Sequence, residues 1–422
     1  MITLIEALNY RCLKYVHQNL GSFHVLVGAN ATGKTTFLDV IAFLGDVVSD
    51  GPVAAVERRT GNIQDLLWRR KGDRFELAIE ARFPPELSER LADKELDTVR
   101  YEVAIGLNPA VNELGLLAEK VVLKRADDSE RQVRLQFPMT VDAPGTILTP
   151  KQSGRSRRLR PVINKVFGGN DNFYSETYST RGKGWVPAVR YGHRRSALGN
   201  LPAEEEKFPV SFWLRDLLAQ GVQSIALNST SLRQASAPGQ GRKFKPDGSN
   251  LPWVIANLSK KDNDRFREWI GHLQTALPDL EHIRTVERPE DRHRYLMLRY
   301  KGGLTVPSWL VSDGTLRLLA LTLPAYLPDL RGVFLIEEPE NGIHPKAVDT
   351  MFQSLSSVYD AQVLLATHSP VVLGIVEAGQ VLCFAKTEEG ATDIVSGAEH
   401  PALQNWKGET NLSTLFAAGV LG

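Results

Sequence analysis

The sequence has few cysteines and no long apolar stretch. Among 422 residues only Cys12 and Cys383 occur, far apart and without CxxC spacing, so neither a disulfide framework nor a zinc site is expected. No segment approaches the roughly 18 apolar residues of a membrane span, and the N-terminus lacks an apolar run after a basic start. We therefore expect a cytoplasmic protein with neither a secretion signal nor a membrane anchor.

Long periodic patterns are also missing. No heptad pattern continues far enough for a coiled-coil arm, and no internal repeat is visible. The composition, 42% hydrophobic and 23% charged, is that of a globular protein, and the length allows more than one core.

The formal net charge is only +1, but the charge is unevenly distributed. Residues 151–195 contain eleven lysines and arginines against two acids, an excess of nine. The aromatic residues Phe173, Tyr174, Tyr178 and Trp185 lie among these cations, as they do on surfaces that bind nucleic acid. A docking site for an acidic protein and an inert solvated surface are the alternatives.

A glycine-rich segment near the start carries the strongest functional pattern. The apolar run 23–27 is followed by GANATGKT, which matches GxxxxGK[ST], and then by an amphipathic helix pattern. A strand, such a loop and a helix form a P-loop, whose backbone N–H groups surround phosphates. Lys34 is expected to reach the β- and γ-phosphates of a nucleotide, and Thr35 to bind Mg²⁺. The candidate nucleotide-binding residues are Gly28, Asn30, Gly33, Lys34, Thr35 and Thr36.

Two adjacent carboxylates follow a second apolar strand pattern. Residues 333–336 are apolar, and Glu337 and Glu338 come directly after them, before Pro339. Because neighbouring strand residues face opposite ways, one carboxylate can hold the Mg²⁺ water shell while the other orients the attacking water. An acidic, solvated turn is the alternative interpretation.

A histidine follows a third strand pattern. Residues 363–366 are apolar and precede Thr367, His368 and Ser369. In an open parallel sheet the ligand lies at the carboxyl ends of the strands, so His368 is expected close to the P-loop and the Glu pair. A lone histidine after a strand is otherwise more often a local hydrogen-bonding residue than a catalytic one.

The segment VSDGTLRLLAL, residues 311–321, predicts a capped helix. Ser312, Asp313, Gly314 and Thr315 are typical of a turn and an N-cap, and the leucines that follow form an apolar face. The segment is either an ordinary capped helix or a helix whose N-terminus points at a phosphate.

In combination, these motifs resemble those of ABC-type ATPases. GANATGKT, SDGT, LIEEPENGIHP and ATHSP occur in the order found in the branch that includes RecF, SMC proteins and OLD-family ATPases. The pairing of SDGT with EEPENGIHP resembles the ATP-binding proteins of bacterial anti-phage systems such as PARIS. The resemblance covers roughly residues 1–140 and 256–422, and it implies ATP and Mg²⁺ as cofactors.

The resemblance also implies roles within the ATP site. Thr35 and Glu337 would hold the metal, Glu338 would be the catalytic base, and His368 would be the switch at the γ-phosphate. Two departures from the family are present. The acid on the metal side is usually Asp, whereas this chain has Glu337. The family's signature motif is LSGGQ, and the segment that resembles it, SDGT, lacks the second glycine because Asp313 precedes a single Gly314.

The same family places the signature in a neighbouring subunit's site. Ser312 and Gly314 would close over ATP held by another P-loop, and residues 341–344 would touch the opposite subunit. A head-to-tail homodimer or a higher oligomer is therefore implied. The lid glutamine that helps to bind the metal has no clear motif, and Gln64 is the candidate for it.

The order of patterns predicts an α/β fold with an antiparallel β-subdomain and a helical or loop insertion, and the resemblance implies that this fold is a P-loop ABC-type ATPase head. Residues 1–140 are interpreted as an ATPase N-lobe with the P-loop and β-subdomain, 141–255 as a basic insertion, and 256–422 as a C-lobe with the signature, Glu pair and His368. The smaller predicted elements are strands at 75–83, 99–107 and 131–137, a helix over Leu258–Leu277, a hairpin over 294–307 and a loop over 228–250.

The resemblance implies two classes of function. The first is an ATPase that senses phage or controls an effector in a defence system, and the second is a RecF-like repair enzyme that loads on DNA. The chain after His368 is too short for the TOPRIM-type nuclease domain of OLD-family proteins, so any nuclease is expected on a separate effector chain. Nucleic acid is a possible partner of residues 151–195.

Overall fold

The computed structural model of the protein describes residues 1–108, 112–126, 134–150, 159–178, 185–241, 243–403, 412–417 and 419. Among these residues, no helix is both long and apolar enough to cross a membrane. The helices, numbered in chain order, are α1 (Lys34–Asp50), α2 (Pro52–Glu57), α3 (Pro85–Ser88), α4 (Pro209–Asp216), α5 (Ser229–Arg233), α6 (Leu251–Lys261), α7 (Asn263–Ala276), α8 (Asp313–Thr322), α9 (Pro345–Ser356), α10 (Pro370–Ile375) and α11 (Leu412–Ala417).

The largest sheet is antiparallel and has eight strands. Their spatial order is β2 (Leu13–Asn19), β1 (Ile2–Tyr10), β4 (Arg74–Arg82), β5 (Thr98–Leu107), β6 (Leu114–Lys124), β7 (Leu159–Val166), β8 (Asp171–Tyr174) and β9 (Trp185–Val189). Every neighbouring pair runs antiparallel. The predicted antiparallel β-subdomain is confirmed, and strands β7 to β9 from the 141–255 segment extend it.

The second sheet is mostly parallel and carries the motifs. Its order is β10 (Val222–Ile225), β14 (Gly332–Glu337), β15 (Ala361–Ala366), β3 (Phe23–Gly28), β16 (Val381–Lys386) and β17 (Thr392–Ser396). Only β17 runs antiparallel to its neighbour. The strands that precede the P-loop, the Glu pair and His368 therefore lie side by side, as the sequence predicts.

Helix α1 connects the two sheets through one core. Its Phe37 and Phe43 are fully buried in a cluster that includes Phe75 from the antiparallel sheet and Leu364 from the parallel sheet. The rings of Tyr10, Phe43 and Phe75 contact one another at centroid distances of 5.0 to 5.7 Å. Helices α6 to α9 cover a second core built on the parallel sheet.

A three-stranded sheet leads the chain to α8. It consists of β11 (Leu280–Glu287), β12 (Arg294–Tyr300) and β13 (Thr305–Pro307). Strands β12 and β13 pair antiparallel across a turn that contains Gly302 and Gly303, so the predicted hairpin is confirmed. The predicted loop over 228–250 contains the short helix α5 but otherwise lacks regular structure in its described residues.

Two predicted elements are wrong. The single helix over Leu258–Leu277 is two helices, because Asp262 has a non-helical backbone and its side chain accepts a hydrogen bond from Arg265 N, which caps α7. The predicted strand at 131–137 is not a strand in its described part, 134–137, and residues 131–133 lie outside the described residues. Strands β5 and β6 pair with each other instead, over their whole length.

Candidate nucleotide-binding site

The P-loop turns directly from β3 into α1. Gly33 has φ of 106°, a value that side-chain-bearing residues rarely adopt, and an added Cβ would lie 2.4 Å from Thr392 Oγ1. Lys34 is buried and donates hydrogen bonds to Gly28 O at 2.8 Å and Ala29 O at 3.0 Å. Its ammonium is thus held above the loop, where a phosphate can exchange for these carbonyl groups.

The first residue of the Glu pair contacts the P-loop. The hydroxyl of Thr35 donates a hydrogen bond to Glu337 Oε2, although the two residues are 302 positions apart in the chain. Burial lowers the pKa of Lys34, while the carboxylates of Glu338 and Glu337 oppose that shift. The structure therefore brings the lysine, the hydroxyl and both acids together.

The second residue of the pair is aimed differently. Glu338 has a left-handed backbone with φ of 46°, which is uncommon outside glycine. Its Oε2 accepts a hydrogen bond from Asn341 Nδ2 at 2.5 Å, and its Oε1 lies 4.0 Å from His368 Nε2. Glu338 and His368 are thus direct neighbours, as expected for strands whose carboxyl ends are adjacent.

The electrostatics of His368 favour the neutral ring. Burial lowers its pKa most, and the charge of Lys34 lowers it further, while Glu338 and Glu340 act in the opposite direction. A neutral imidazole can donate one hydrogen bond and accept another.

These residues line one cavity of about 550 Å³. Its walls are Arg11, Cys12, Asn30, Ala31, Gly33, Lys34, Thr35, Thr36, Asp65, Leu67, Arg69, Arg70, Glu337, Glu338, Ala366 and His368. A volume of this size is typical of small-molecule and cofactor sites, and three arginines supply positive charge around the phosphate-binding loop.

A family model described as "AAA domain, putative AbiEii toxin, Type IV TA system" matches residues 23–374, which is most of the chain. The protein belongs to this AAA-domain family. Its match begins at β3 and ends within α10, so it includes every motif discussed above. No curated protein matches the chain.

Solved structures of Smc heads show the same fold. The crystal structure of the SmcHead bound to the C-winged helix domain of ScpA has 14% sequence identity and a TM-score of 0.51, covering 93% of this chain and 97% of that chain. The Smc head domain with an extended coiled coil, bound to the C-terminal domain of ScpA derived from Pyrococcus furiosus, has 12% identity and a TM-score of 0.50, covering 93% and 95%. The AAA-domain protein therefore has the fold of a P-loop ATPase head.

The signature segment lies outside the cavity of its own chain. Ser312 caps α8, because its Oγ accepts a hydrogen bond from Thr315 N at 3.2 Å, which confirms the predicted helix cap. Gly314 packs against the loop after the Glu pair so closely that an added Cβ would lie 2.4 Å from Gly342 O. Neither Ser312 nor Gly314 is among the residues that line the cavity.

Gln64 is not among the residues that line the cavity. It lies in a 3₁₀ turn over Ile63–Leu66, and the adjacent Asp65 is on the cavity wall instead. Its assignment as a metal ligand stays a prediction.

Several cavity residues were missed by sequence analysis. Arg11 follows β1 in a tight turn, where it lies 3.5 Å from Asp39 on α1, and Arg69 and Arg70 come from an irregular segment before β4. The basic pair Arg69–Arg70, a few residues after Gln64, was the only signal in the sequence.

The donor set at the cavity fits a Mg²⁺ ion. Among the described residues, no cluster of three or more His, Cys, Asp or Glu side chains could hold a metal by itself. Mg²⁺ in phosphate sites needs only one or two protein oxygens, because waters and phosphates complete its shell. Thr35 and Glu337, already in contact, provide two such oxygens.

The basic segment is only partly described. Residues 151–158, among them Arg155, Arg157 and Arg158, and residues 179–184 lie outside the part of the chain that the structure describes. Of the described cations, Arg160 donates hydrogen bonds to the carbonyl groups of Ser175 and Tyr178, and Lys165 forms a buried ion pair with Asp171 at 2.7 Å. These two cations stabilise the sheet, which reduces the charge available to a partner.

Proposed function

We propose that this AAA-domain protein is a Mg²⁺-dependent ATPase that dimerises around ATP and acts as the sensor and switch of an anti-phage defence system. The observation that carries the ATPase proposal is the contact of Thr35 with Glu337 next to Lys34, with Glu338 and His368 on the same cavity wall. The family description, which names an AbiEii toxin and a Type IV TA system, supports the defence role.

The residues divide the chemistry among them. Lys34 would exchange its two carbonyl partners for oxygens of the β- and γ-phosphates, and Thr35 and Glu337 would hold the metal. When bound, Mg²⁺ neutralises negative charge on the phosphates. Glu338, oriented by Asn341, accepts a proton from the attacking water, and the neutral ring of His368 donates a hydrogen bond to the γ-phosphate.

The signature is proposed to act on a second subunit. Ser312 is exposed at the N-terminus of α8, where unpaired backbone N–H groups favour an anion. It is not part of its own chain's cavity, so a head-to-tail pair in which each α8 faces the partner's P-loop gives every ATP both halves of a site.

The output of the switch is proposed to lie on another chain. ATP binding would join two heads and hydrolysis would separate them, and this change controls a separate effector, which we propose is a nuclease. A RecF-like enzyme that loads on DNA is the second candidate, favoured by the excess of nine cations in residues 151–195.

Two substitutions test the ATPase proposal. Lys34→Ala should lose ATP binding, because the phosphates lose their cation, whereas Glu338→Gln should bind ATP and hydrolyse it at least about 100-fold more slowly. Binding is measured with a fluorescent ATP analogue, and hydrolysis by phosphate release with and without Mg²⁺. Hydrolysis by Glu338→Gln at the wild-type rate would contradict the assignment of the base.

A further inference from the structure

A third carboxylate lies behind the Glu pair, and the chemistry described above does not use it. Glu340 follows Glu338 by two residues, yet its side chain points toward the next strand of the sheet. Its Oε1 accepts a hydrogen bond from Thr367 Oγ1 at 2.5 Å and one from His368 N at 3.4 Å. Glu340 thereby connects the loop after β14 to the loop after β15.

The environment of this carboxylate is unusual for a merely structural group. Its Oε2 is buried and has no hydrogen-bond partner among the described residues. Leaving a buried polar atom unpaired costs free energy, and such atoms in folded proteins call for a functional explanation.

The contacts of Glu340 continue on both sides. Thr367 is fully buried, and its Oγ1 also accepts a hydrogen bond from Ser369 N at 2.9 Å, so the whole Thr367–Ser369 turn is fixed. On the other side, Gly342 O touches Gly314 of the signature helix. Within this loop, Ile343 N donates a hydrogen bond to Glu340 O at 2.9 Å, so a series of contacts runs from α8 through the loop to His368.

We propose that Glu340 is a positioning residue that holds His368 against Glu338 and places a negative charge near its ring. Glu340 touches neither nucleotide nor water in this role and acts only through His368. The kinetic part of this inference rests on the proposed ATPase function.

The direction of the electrostatic effect follows from the neighbours of His368. The charged groups that face it are Lys34 on α1 and Glu338 and Glu340 on the loop after β14. Lys34 lowers the pKa of His368, whereas the two carboxylates raise it. Removal of the Glu340 charge alone must therefore lower that pKa further.

The decisive variant is Glu340→Gln. The amide oxygen of glutamine can still accept the hydrogen bonds from Thr367 and His368, so the fold and the loop geometry should persist, which thermal unfolding checks. The histidine-ring signals are followed by NMR during a pH titration without nucleotide. The signal of His368 is identified among those of the nine histidines because it is absent from the spectrum of His368→Gln. We expect the His368 midpoint to fall by about 0.5 pH units or more in Glu340→Gln.

Two further variants separate charge from packing. Glu340→Asp keeps the charge, so the pH midpoint of His368 should stay close to its wild-type value. Glu86→Gln, at an exposed position, is the control and should leave that midpoint unchanged. In ATPase assays, kcat is measured as a function of pH. In Glu340→Gln the fall of kcat on the acid side should move to lower pH, while the KM for ATP stays within about twofold of wild type.

Each outcome decides the inference. An unchanged His368 midpoint in Glu340→Gln overturns it, and so does a kcat profile that stays in place while KM rises. Wild-type protein without ATPase activity would instead overturn the proposed function, and the NMR titration, which needs no turnover, would still accept or reject the role of Glu340.

Discussion

Arg233 on α5 donates a hydrogen bond from Nε to Asp313 Oδ1 at 2.6 Å, at the residue that separates Ser312 from Gly314. The same guanidinium donates from Nη1 to Trp309 O at 3.1 Å. A carboxylate in the first turn of α8 would repel a partner's phosphates, and Arg233 neutralises it. Under the proposal that Ser312 and Gly314 act on ATP in a second subunit, Arg233 would therefore offset the charge of Asp313 next to that ATP.

This pair predicts a selective effect of Arg233→Gln. Both side chains are partly exposed, 36% and 48%, so stability should change by less than about 1 kcal/mol. ATP-dependent dimerisation should weaken, because the Asp313 charge then faces phosphate unopposed. Sedimentation in the Glu338→Gln background measures this, and adding Asp313→Asn should restore the dimer. If Arg233→Gln dimerises as strongly as its parent, Asp313 does not face the nucleotide.

Gln362 connects the two large sheets and should be important for stability. Its amide accepts a hydrogen bond from Ile2 N and donates to Ile2 O and Gly21 O, all at 2.7 to 3.0 Å, in a buried position. Gln362→Leu leaves these backbone groups unpaired and should cost about 3 kcal/mol in the free energy of unfolding. Urea unfolding measures the loss. The same replacement at exposed Gln353 should cost no more than about 0.5 kcal/mol, and equal losses at both sites would contradict this role.

Glu176 predicts a pH dependence of stability. Burial raises its pKa to about 7, although the Ser211 hydroxyl and the N–H groups of Val210 and Ser211 favour the ionised form. A carboxyl whose pKa is higher in the folded state binds its proton more tightly there, so stability falls as pH rises from about 4.5 to about 7.

Glu176→Gln, which cannot ionise, should therefore gain stability relative to wild type across that range, by an amount on the order of 3 kcal/mol at most. Urea unfolding at several pH values measures the difference between the two proteins. A difference that does not vary with pH would show that the three donors keep Glu176 ionised throughout.

The salt dependence of nucleic-acid binding tests the basic segment. Replacing Arg155, Arg157 and Arg158 by Gln should reduce the magnitude of the slope of log affinity against log salt concentration by up to about 3. The reason is that binding releases fewer counterions from the nucleic acid when it makes fewer phosphate contacts. Arg160 is left intact, since it binds backbone carbonyl groups within the protein. Fluorescence anisotropy with single-stranded and duplex DNA measures the slopes. An unchanged slope would favour protein docking or an inert surface.

The core of the candidate site was predictable because each motif follows a strand. The P-loop, Glu337 and the Thr367–Ser369 turn each follow an apolar run, and parallel pairing brings the carboxyl ends of such strands together. The separation of the residues in the sequence does not affect this argument, so residues more than 300 positions apart could be placed in one site.

The remaining cavity residues depend on tertiary packing that no local pattern encodes. Arg11 reaches the cavity because Asp39 and the aromatic core position the β1–β2 turn, and Arg69 is placed by the irregular segment before β4, where it also binds Glu389 O. The break at Asp262 was missed because side-chain capping interrupts a helix pattern that the apolar spacing continues.

Complementation between two inactive variants tests the proposal that the signature acts in trans. If each ATP site draws Lys34 and Glu338 from one chain and Ser312 from the other, then Lys34→Ala and Ser312→Arg homodimers are both inactive, because each site carries a lesion. In a mixed heterodimer, both lesions fall in one site and the other site is intact. ATPase activity should therefore return on mixing, to as much as about a quarter of the wild-type rate for random pairing in which one site can work alone.

A signature that only caps its own helix gives a different result. Each chain would then carry its own lesion into every pairing, so mixing could not produce an intact site. Heterodimer formation is verified by pull-down with two affinity tags. If heterodimers form without recovery, the ATP-dependent dimer of Glu338→Gln decides between two explanations. If Ser312→Arg abolishes this dimer, Ser312 lies at the interface and both sites must work together. If the dimer tolerates Ser312→Arg, the role of Ser312 is restricted to the helix cap observed in the structure.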